Sequence, residues 1–142
     1  MANNDFRDVE HRKFTRIQYP LMVKYRIIGG GDKGRISRTI EGQTKDVSLG
    51  GMCLQTNILE INGLHIYIDT NNIYQNLLAL EIDLPFCDKK IKTVGKVAWY
   101  NLSTRRRKYQ YDVGITFLEM SNKDEKNLSR FLNKSSNTKK KI

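Results

Sequence analysis

The sequence predicts a mainly β fold: a six-stranded antiparallel β-barrel with a C-terminal α-helix and a flexible N-terminal arm. Short runs of alternating apolar and polar residues recur along the chain, turn-forming residues separate them, and no strand–helix–strand alternation is visible. Closing the strands into a barrel removes exposed strand edges. We expect an arm at residues 1–16, a barrel with its helix at 17–133 and a basic, disordered tail at 134–142.

The composition indicates one folded domain. The chain has 142 residues, of which 39% are hydrophobic and 28% charged, and these values exclude wholesale disorder. No secretory signal is visible at the N-terminus, and no apolar run is long enough to span a bilayer. We therefore expect a cytoplasmic protein whose two cysteines, Cys53 and Cys87, are reduced.

The net charge indicates an anionic partner. At +10 it favours a nucleic acid, a nucleotide or a phospholipid surface. Catalysis is not predicted, because neither of the two histidines, His11 and His65, has a recognisable partner at catalytic spacing. No spacing of metal ligands appears, so we expect neither a metal nor a cofactor.

The arm ends in a basic cluster, residues 11–16. Two of its arginines, Arg12 and Arg16, would share one face of a helix, or converge on a ligand from two sides if the segment is extended. A solvated basic arm is the alternative interpretation.

Three strands are predicted in the first half of the chain. They cover residues 17–28, 37–47 and 52–57, and a glycine-rich hairpin tip at 29–34 separates the first two. Pro20 fits the entry to the first strand, where a missing backbone donor is tolerated.

The turn between the second and third strands combines glycines with polar side chains. Gly50 and Gly51 are predicted to supply the positive φ angles of a hairpin. Asp46 can accept two donors, Ser48 can donate and accept, and Gly51 has no side chain to keep another molecule off the backbone. The alternative is that Asp46 only caps its own loop.

The second half contains three further predicted strands, at residues 77–84, 91–100 and 109–118. For residues 58–76, the sequence predicts no more than a short strand or helical turn between two loops. A helix is predicted to begin after Ser121, an N-cap candidate with Asp124 three residues later. Its apolar face consists of Leu128, Phe131 and Leu132.

Two short motifs resemble the two-part signature of the PilZ domain family, Arg-x-x-x-Arg followed by Asp-x-Ser-x-x-Gly. The matching residues are Arg12 and Arg16 in the first part and Asp46, Ser48 and Gly51 in the second. Residues 95–99 and 113–117 are also similar to the family, and the resemblance extends from His11 to Leu132.

The resemblance implies a bacterial receptor for cyclic di-GMP, a dianion with two guanines. An arginine fork matches a phosphate and also the O6/N7 edge of guanine, so Arg12 and Arg16 would clamp the ligand. Asp46 would accept from the other edge of guanine, Ser48 would bond to phosphate or base, and Gly51 would allow close approach.

Weaker contacts to the same ligand are expected from three neighbours of the motifs, His11, Lys13 and Gly50. Binding would order the arm and create a surface that a downstream effector protein reads. The family association suggests control of motility, biofilm or polysaccharide synthesis.

The alternative hypothesis is a module that binds single-stranded nucleic acid. The basic loop at residues 105–108, the lysine-rich tail and seven tyrosines would suit it. A pure protein adaptor of the same family is the third possibility.

Overall fold

The computed structural model describes residues 16–31, 34–67, 74–85, 89–103 and 108–140. Within these ranges the strands are β1 Met22–Ile28, β2 Ile40–Val47, β3 Gly51–Thr56, β4 Glu60–Ile61, β5 Leu64–His65, β6 Leu77–Leu84, β7 Lys89–Leu102 and β8 Tyr111–Met120. A helix, α1, spans Asn122–Lys140. No helix in the described ranges is both long and apolar enough to cross a membrane.

Six of the strands form the predicted closed barrel, in the order β1-β2-β3-β8-β7-β6, and every neighbouring pair is antiparallel. The strands form because alternate residues are apolar and point into the barrel. In β6, for example, Leu78, Leu80, Ile82 and Leu84 are buried and their neighbours are only partly so. The predicted fold class is confirmed.

The first strand is shorter than predicted, because the Thr44 side chain takes the place of some of the backbone hydrogen bonds between it and β2. The Thr44 hydroxyl accepts from the Leu21 backbone N–H at 2.9 Å and donates to the Tyr19 carbonyl at 2.6 Å. The segment before Met22 therefore runs beside β2 through this hydroxyl, and Ile17 rejoins β2 as an isolated bridge to Val47.

The ambiguous region after β3 contains a miniature hairpin, β4–β5, outside the barrel sheet. Its turn is Asn62-Gly63, with φ angles of 55° and 78°. Positive φ at two successive residues, with Asn followed by Gly, is the usual two-residue hairpin chemistry. Ile61, Leu64 and Ile66 are buried in the core, so this hairpin covers part of the barrel.

Helix α1 begins as predicted. The Ser121 hydroxyl accepts from the Asp124 backbone N–H at 3.1 Å, which satisfies one of the free donors of the first turn. The three apolar residues of its face, Leu128, Phe131 and Leu132, are buried in the core.

The helix extends further than the sequence suggests. It continues to Lys140 in this structure, through residues 134–140 that the sequence predicts as a disordered tail. The physical reason is that no glycine or proline follows Ser121 to end the helix.

Candidate functional site

The root of the N-terminal arm is held against the end of β2. Ile17 and Val47 exchange two backbone hydrogen bonds, of 2.9 and 3.0 Å. This bridge brings Arg16 beside Asp46, and Arg16 Nη1 donates to Asp46 Oδ1 at 2.5 Å. The Arg16 side chain is 49% exposed and that of Asp46 22%, so the ion pair lies at the surface, open to solvent.

A β-bulge in β2 decides where Asp46 points. The register with β3 shifts between Thr44 and Asp46, which makes Lys45 the extra residue. Strict alternation from the buried Thr44 would direct Asp46 into the core. With the bulge, Lys45 and Asp46 are both solvent-accessible and Val47 returns to the interior.

The bulge is attached to β8 through Asp112, a buried residue that sequence reasoning missed. Lys45 Nζ lies 3.5 Å from Asp112 Oδ2, and Gln55 Nε2 donates to Asp112 Oδ1 at 3.2 Å. Nothing in the sequence signals this contact, because residues 43–46 are all polar and show no alternation that a bulge could interrupt.

The turn after β2 uses its own polar groups. The Ser48 N–H donates to the Gly51 carbonyl at 2.8 Å, and the Ser48 hydroxyl donates to the same oxygen at 3.3 Å. That hydroxyl also accepts from the Gly50 N–H at 3.2 Å. Ser48 is only 2% exposed, so its hydroxyl is engaged in the turn in this structure.

The predicted positive φ of Gly50 and Gly51 is wrong: among the described glycines, only Gly63 has φ in that region. Gly51 is needed for another reason. A Cβ there would collide with the Ile115 carbonyl oxygen of β8, which lies directly against it. The glycine therefore permits close approach of a neighbouring strand, not a left-handed turn.

Next to Asp46, a row of paired residues crosses the barrel surface. Asp46 pairs with Cys53, Cys53 with Gly114, and Gly114 with Trp99. The half-exposed indole of Trp99 covers Gly114, where a Cβ would collide with it. Burial, together with the carboxylates of Asp112 and Asp46, raises the pKa of the Cys53 thiol to about 11, so it is protonated at neutral pH.

The structure therefore brings together five of the predicted site residues: Arg16, Asp46, Ser48, Gly50 and Gly51. The other three, His11, Arg12 and Lys13, lie outside the described residues. In the described ranges, no group of three or more acidic, histidine or cysteine side chains is placed to hold a metal ion.

The closed antiparallel barrel and the motif residues at the end of β2 can now be compared with known domain families. The family model of the PilZ domain matches residues 10–134. The chain belongs to the PilZ domain family.

Solved structures share the fold. The chain is similar to the Bacillus subtilis inhibitor of motility, MotI/DgrA, with a TM-score of 0.62 and 15% identity over 90% of this chain and 52% of that one. It thus spans about half the length of that protein. It is also similar to the PilZ domain of YcgR from Escherichia coli, solved with c-di-GMP, with a TM-score of 0.59 and 15% identity over 92% of this chain and 95% of that one. No curated protein sequence matches it.

Proposed function

We propose that this PilZ domain is a receptor for cyclic di-GMP. The observation that carries the proposal is the juxtaposition of Arg16 and Asp46, one from each part of the motif, at an open surface. The family membership supports it, as does the similar fold of the Escherichia coli YcgR domain, which was solved with this dinucleotide.

The chemistry of the pair suits the ligand. The Arg16 guanidinium can bond in bidentate fashion to a phosphate or to O6 and N7 of guanine. The Asp46 carboxylate can accept from the N–H groups on the other edge of guanine, which adenine does not present in that arrangement. Binding in this way would exchange the hydrogen bond between Arg16 and Asp46 for two contacts to the dinucleotide.

The remaining motif residues have different roles in the proposal. Arg12 adds a second guanidinium from the arm, and His11 and Lys13 add weaker contacts. Gly50 leaves the backbone of the turn uncovered by a side chain, and Gly51 allows β8 to pack closely beside it. Ser48 reaches the ligand only if its hydroxyl releases the Gly51 carbonyl, since the turn now occupies it.

Ordering of the arm transmits the signal. Ile17 anchors the chain at Val47, so the residues before Arg16 start beside Asp46 and have a short path to a ligand bound there. Binding would fix residues 5–15 against the barrel and create a surface for an effector protein. Amide exchange of this segment, with and without cyclic di-GMP, tests the step; equal exchange in both states would refute it.

Binding without turnover is the activity we propose. Of the nucleophilic candidates in the described chain, Cys53 is held as a neutral thiol by its raised pKa. The His65 Nδ1 accepts from the Tyr67 backbone N–H at 3.1 Å, so that nitrogen is occupied.

The deciding experiment is a calorimetric titration with cyclic di-GMP, with cyclic di-AMP as the nucleotide control. Replacing Arg16 by alanine removes a charge-assisted hydrogen bond, and we expect affinity to fall about ten- to a hundredfold. Arg26→Ala is the matched control, because Arg26 is exposed on β1, away from the motif.

Guanine-selective binding that Arg16→Ala weakens and Arg26→Ala preserves would establish the receptor. An absence of heat with wild-type protein, or equal losses in the two arginine variants, would refute the proposal.

A further inference from the structure

Three aromatic rings form an exposed cluster at the β4–β5 hairpin. The ring centroids of His65 and Tyr100 are 5.5 Å apart, and those of Tyr67 and Tyr100 are 6.2 Å apart. Tyr67 and Tyr100 are each 39% exposed. We call these three residues the aromatic platform; the motif residues include none of them.

Buried hydrogen bonds hold the platform in place. The fully buried Asn76 donates from Nδ2 to the His65 carbonyl at 2.7 Å and from its backbone to the Tyr67 carbonyl at 2.9 Å. The Tyr67 N–H in turn donates to His65 Nδ1 at 3.1 Å. The His65 ring and the backbone that carries Tyr67 are therefore fixed before any partner arrives, which lowers the entropic cost of binding.

Cationic residues lie at the turn and at the start of the segment that carries the hairpin, residues 57–67. At its turn, Arg35 Nη2 donates to the Asn62 carbonyl at 2.7 Å and the Arg38 N–H donates to Asn62 Oδ1 at 2.8 Å. At its start, the Asn57 side chain donates to the Lys108 carbonyl at 3.3 Å. Against these three cations the segment itself carries one carboxylate, that of Glu60.

We propose that this end of the barrel binds single-stranded nucleic acid. Unpaired bases stack on the rings of the platform, and the phosphates pair with the side chains of Arg35, Arg38 and Lys108. Aromatic rings flanked by cations suit a polyanion with planar groups, because the bases stack on the rings while the phosphates meet the positive charges.

The nucleic-acid site is separate from the Arg16–Asp46 pair. Asp46 and Trp99, the neighbour of the platform residue Tyr100, lie at the two ends of the row Asp46–Cys53–Gly114–Trp99, which crosses three strand spacings, or roughly 14 Å. The two sites can therefore be occupied together, and the inference does not depend on the dinucleotide proposal.

The test is fluorescence anisotropy with a labelled single-stranded RNA of about 12 nucleotides and mixed sequence, at physiological salt. Tyr67→Ala removes one stacking ring and leaves the backbone bonds of the hairpin, so we expect binding about five- to a hundredfold weaker. The matched control is Tyr74→Ala, which removes a 60% exposed tyrosine outside the platform. It should change binding by no more than about twofold.

Two further measurements sharpen the result. Tyr67→Leu retains apolar bulk without a ring and should lose as much affinity as the alanine variant; it also serves if Tyr67→Ala does not fold. Lys108→Gln removes one phosphate contact, so the slope of log K against log salt should become shallower by about 0.7.

The proposal is overturned if the RNA does not bind at physiological salt, or if Tyr67→Ala and Tyr74→Ala bind equally. The second outcome would mean that the net charge of +10 attracts RNA without a defined site. Equal affinity for a duplex of the same sequence would also overturn it, because paired bases offer no free face for stacking.

Discussion

Replacing Gly51 by alanine tests whether the last residue of the motif serves the fold or only the ligand. Gly51 begins β3 and pairs with Thr116 of β8. A Cβ at this position would meet the Ile115 carbonyl oxygen, which is part of the backbone and cannot rotate away. Strands β3 and β8 would have to separate locally to make room.

The expected cost follows from that geometry. Overpacking of this kind costs about 1–3 kcal/mol, which for a domain of this size lowers the melting temperature by roughly 3–12 °C. Gly114→Ala is the matched control, since the atoms in its way belong to the half-exposed Trp99 side chain. That indole can swing into solvent, and we expect a loss below about 1 kcal/mol.

The assay is urea unfolding of the ligand-free wild type and the two variants, followed by the intrinsic fluorescence of the single tryptophan and by circular dichroism. Because no ligand is present, a loss in Gly51→Ala alone reports the packing of β3 on β8. A Gly51→Ala protein as stable as the wild type would refute the reasoning, and would leave ligand approach as the reason for the glycine.

Three further substitutions test the fold around the site. Ser121→Ala removes the helix cap that receives the Asp124 N–H, and should lower the free energy of unfolding by about 1 kcal/mol; Ser121→Asp should restore it. Thr44→Val deletes a buried hydroxyl that bonds to two backbone groups, and should cost about 1–3 kcal/mol by urea unfolding; an unchanged midpoint would contradict the role given to Thr44. Folding raises the pKa of Cys53 from 9.0 to about 11, so the folded state favours the protonated thiol. The stability that this preference contributes is complete below pH 9 and is lost as the pH rises towards 11. Cys53→Ala should show a smaller loss of stability over that range, and in a Cys87→Ser background Cys53 should react with iodoacetamide at pH 8 at least about a hundredfold more slowly than an ordinary thiol.

The strands that the sequence predicts well are those with unbroken alternation. Residues 77–84 were predicted as a strand and form β6 with the same bounds. The helix start at Ser121 was also predictable, because a cap and its first turn are local chemistry. In both cases, the residues that decide the structure are close together in sequence.

Predictions failed where a contact with a distant part of the chain overrides local preference. The first strand begins at Met22 because the Thr44 hydroxyl bonds to the backbone before it. Gly51 is required by β8 and not by the turn in which it was predicted to act. Neither contact can be inferred from the residues that are close by in the sequence.

For the candidate site too, some features follow from the sequence and others only from contacts between distant residues. The sequence alone determined which residue types are available, since the Arg-x-x-x-Arg and Asp-x-Ser-x-x-Gly motifs are visible in the printed chain. Only the tertiary structure decided that Arg16 meets Asp46, thirty positions away, and that the bulge at Lys45 turns Asp46 outward. The physical reason is register. Side chains alternate between the two faces of a strand, so a single extra residue, stabilised here by Asp112 on a distant strand, determines whether Asp46 faces solvent or the core.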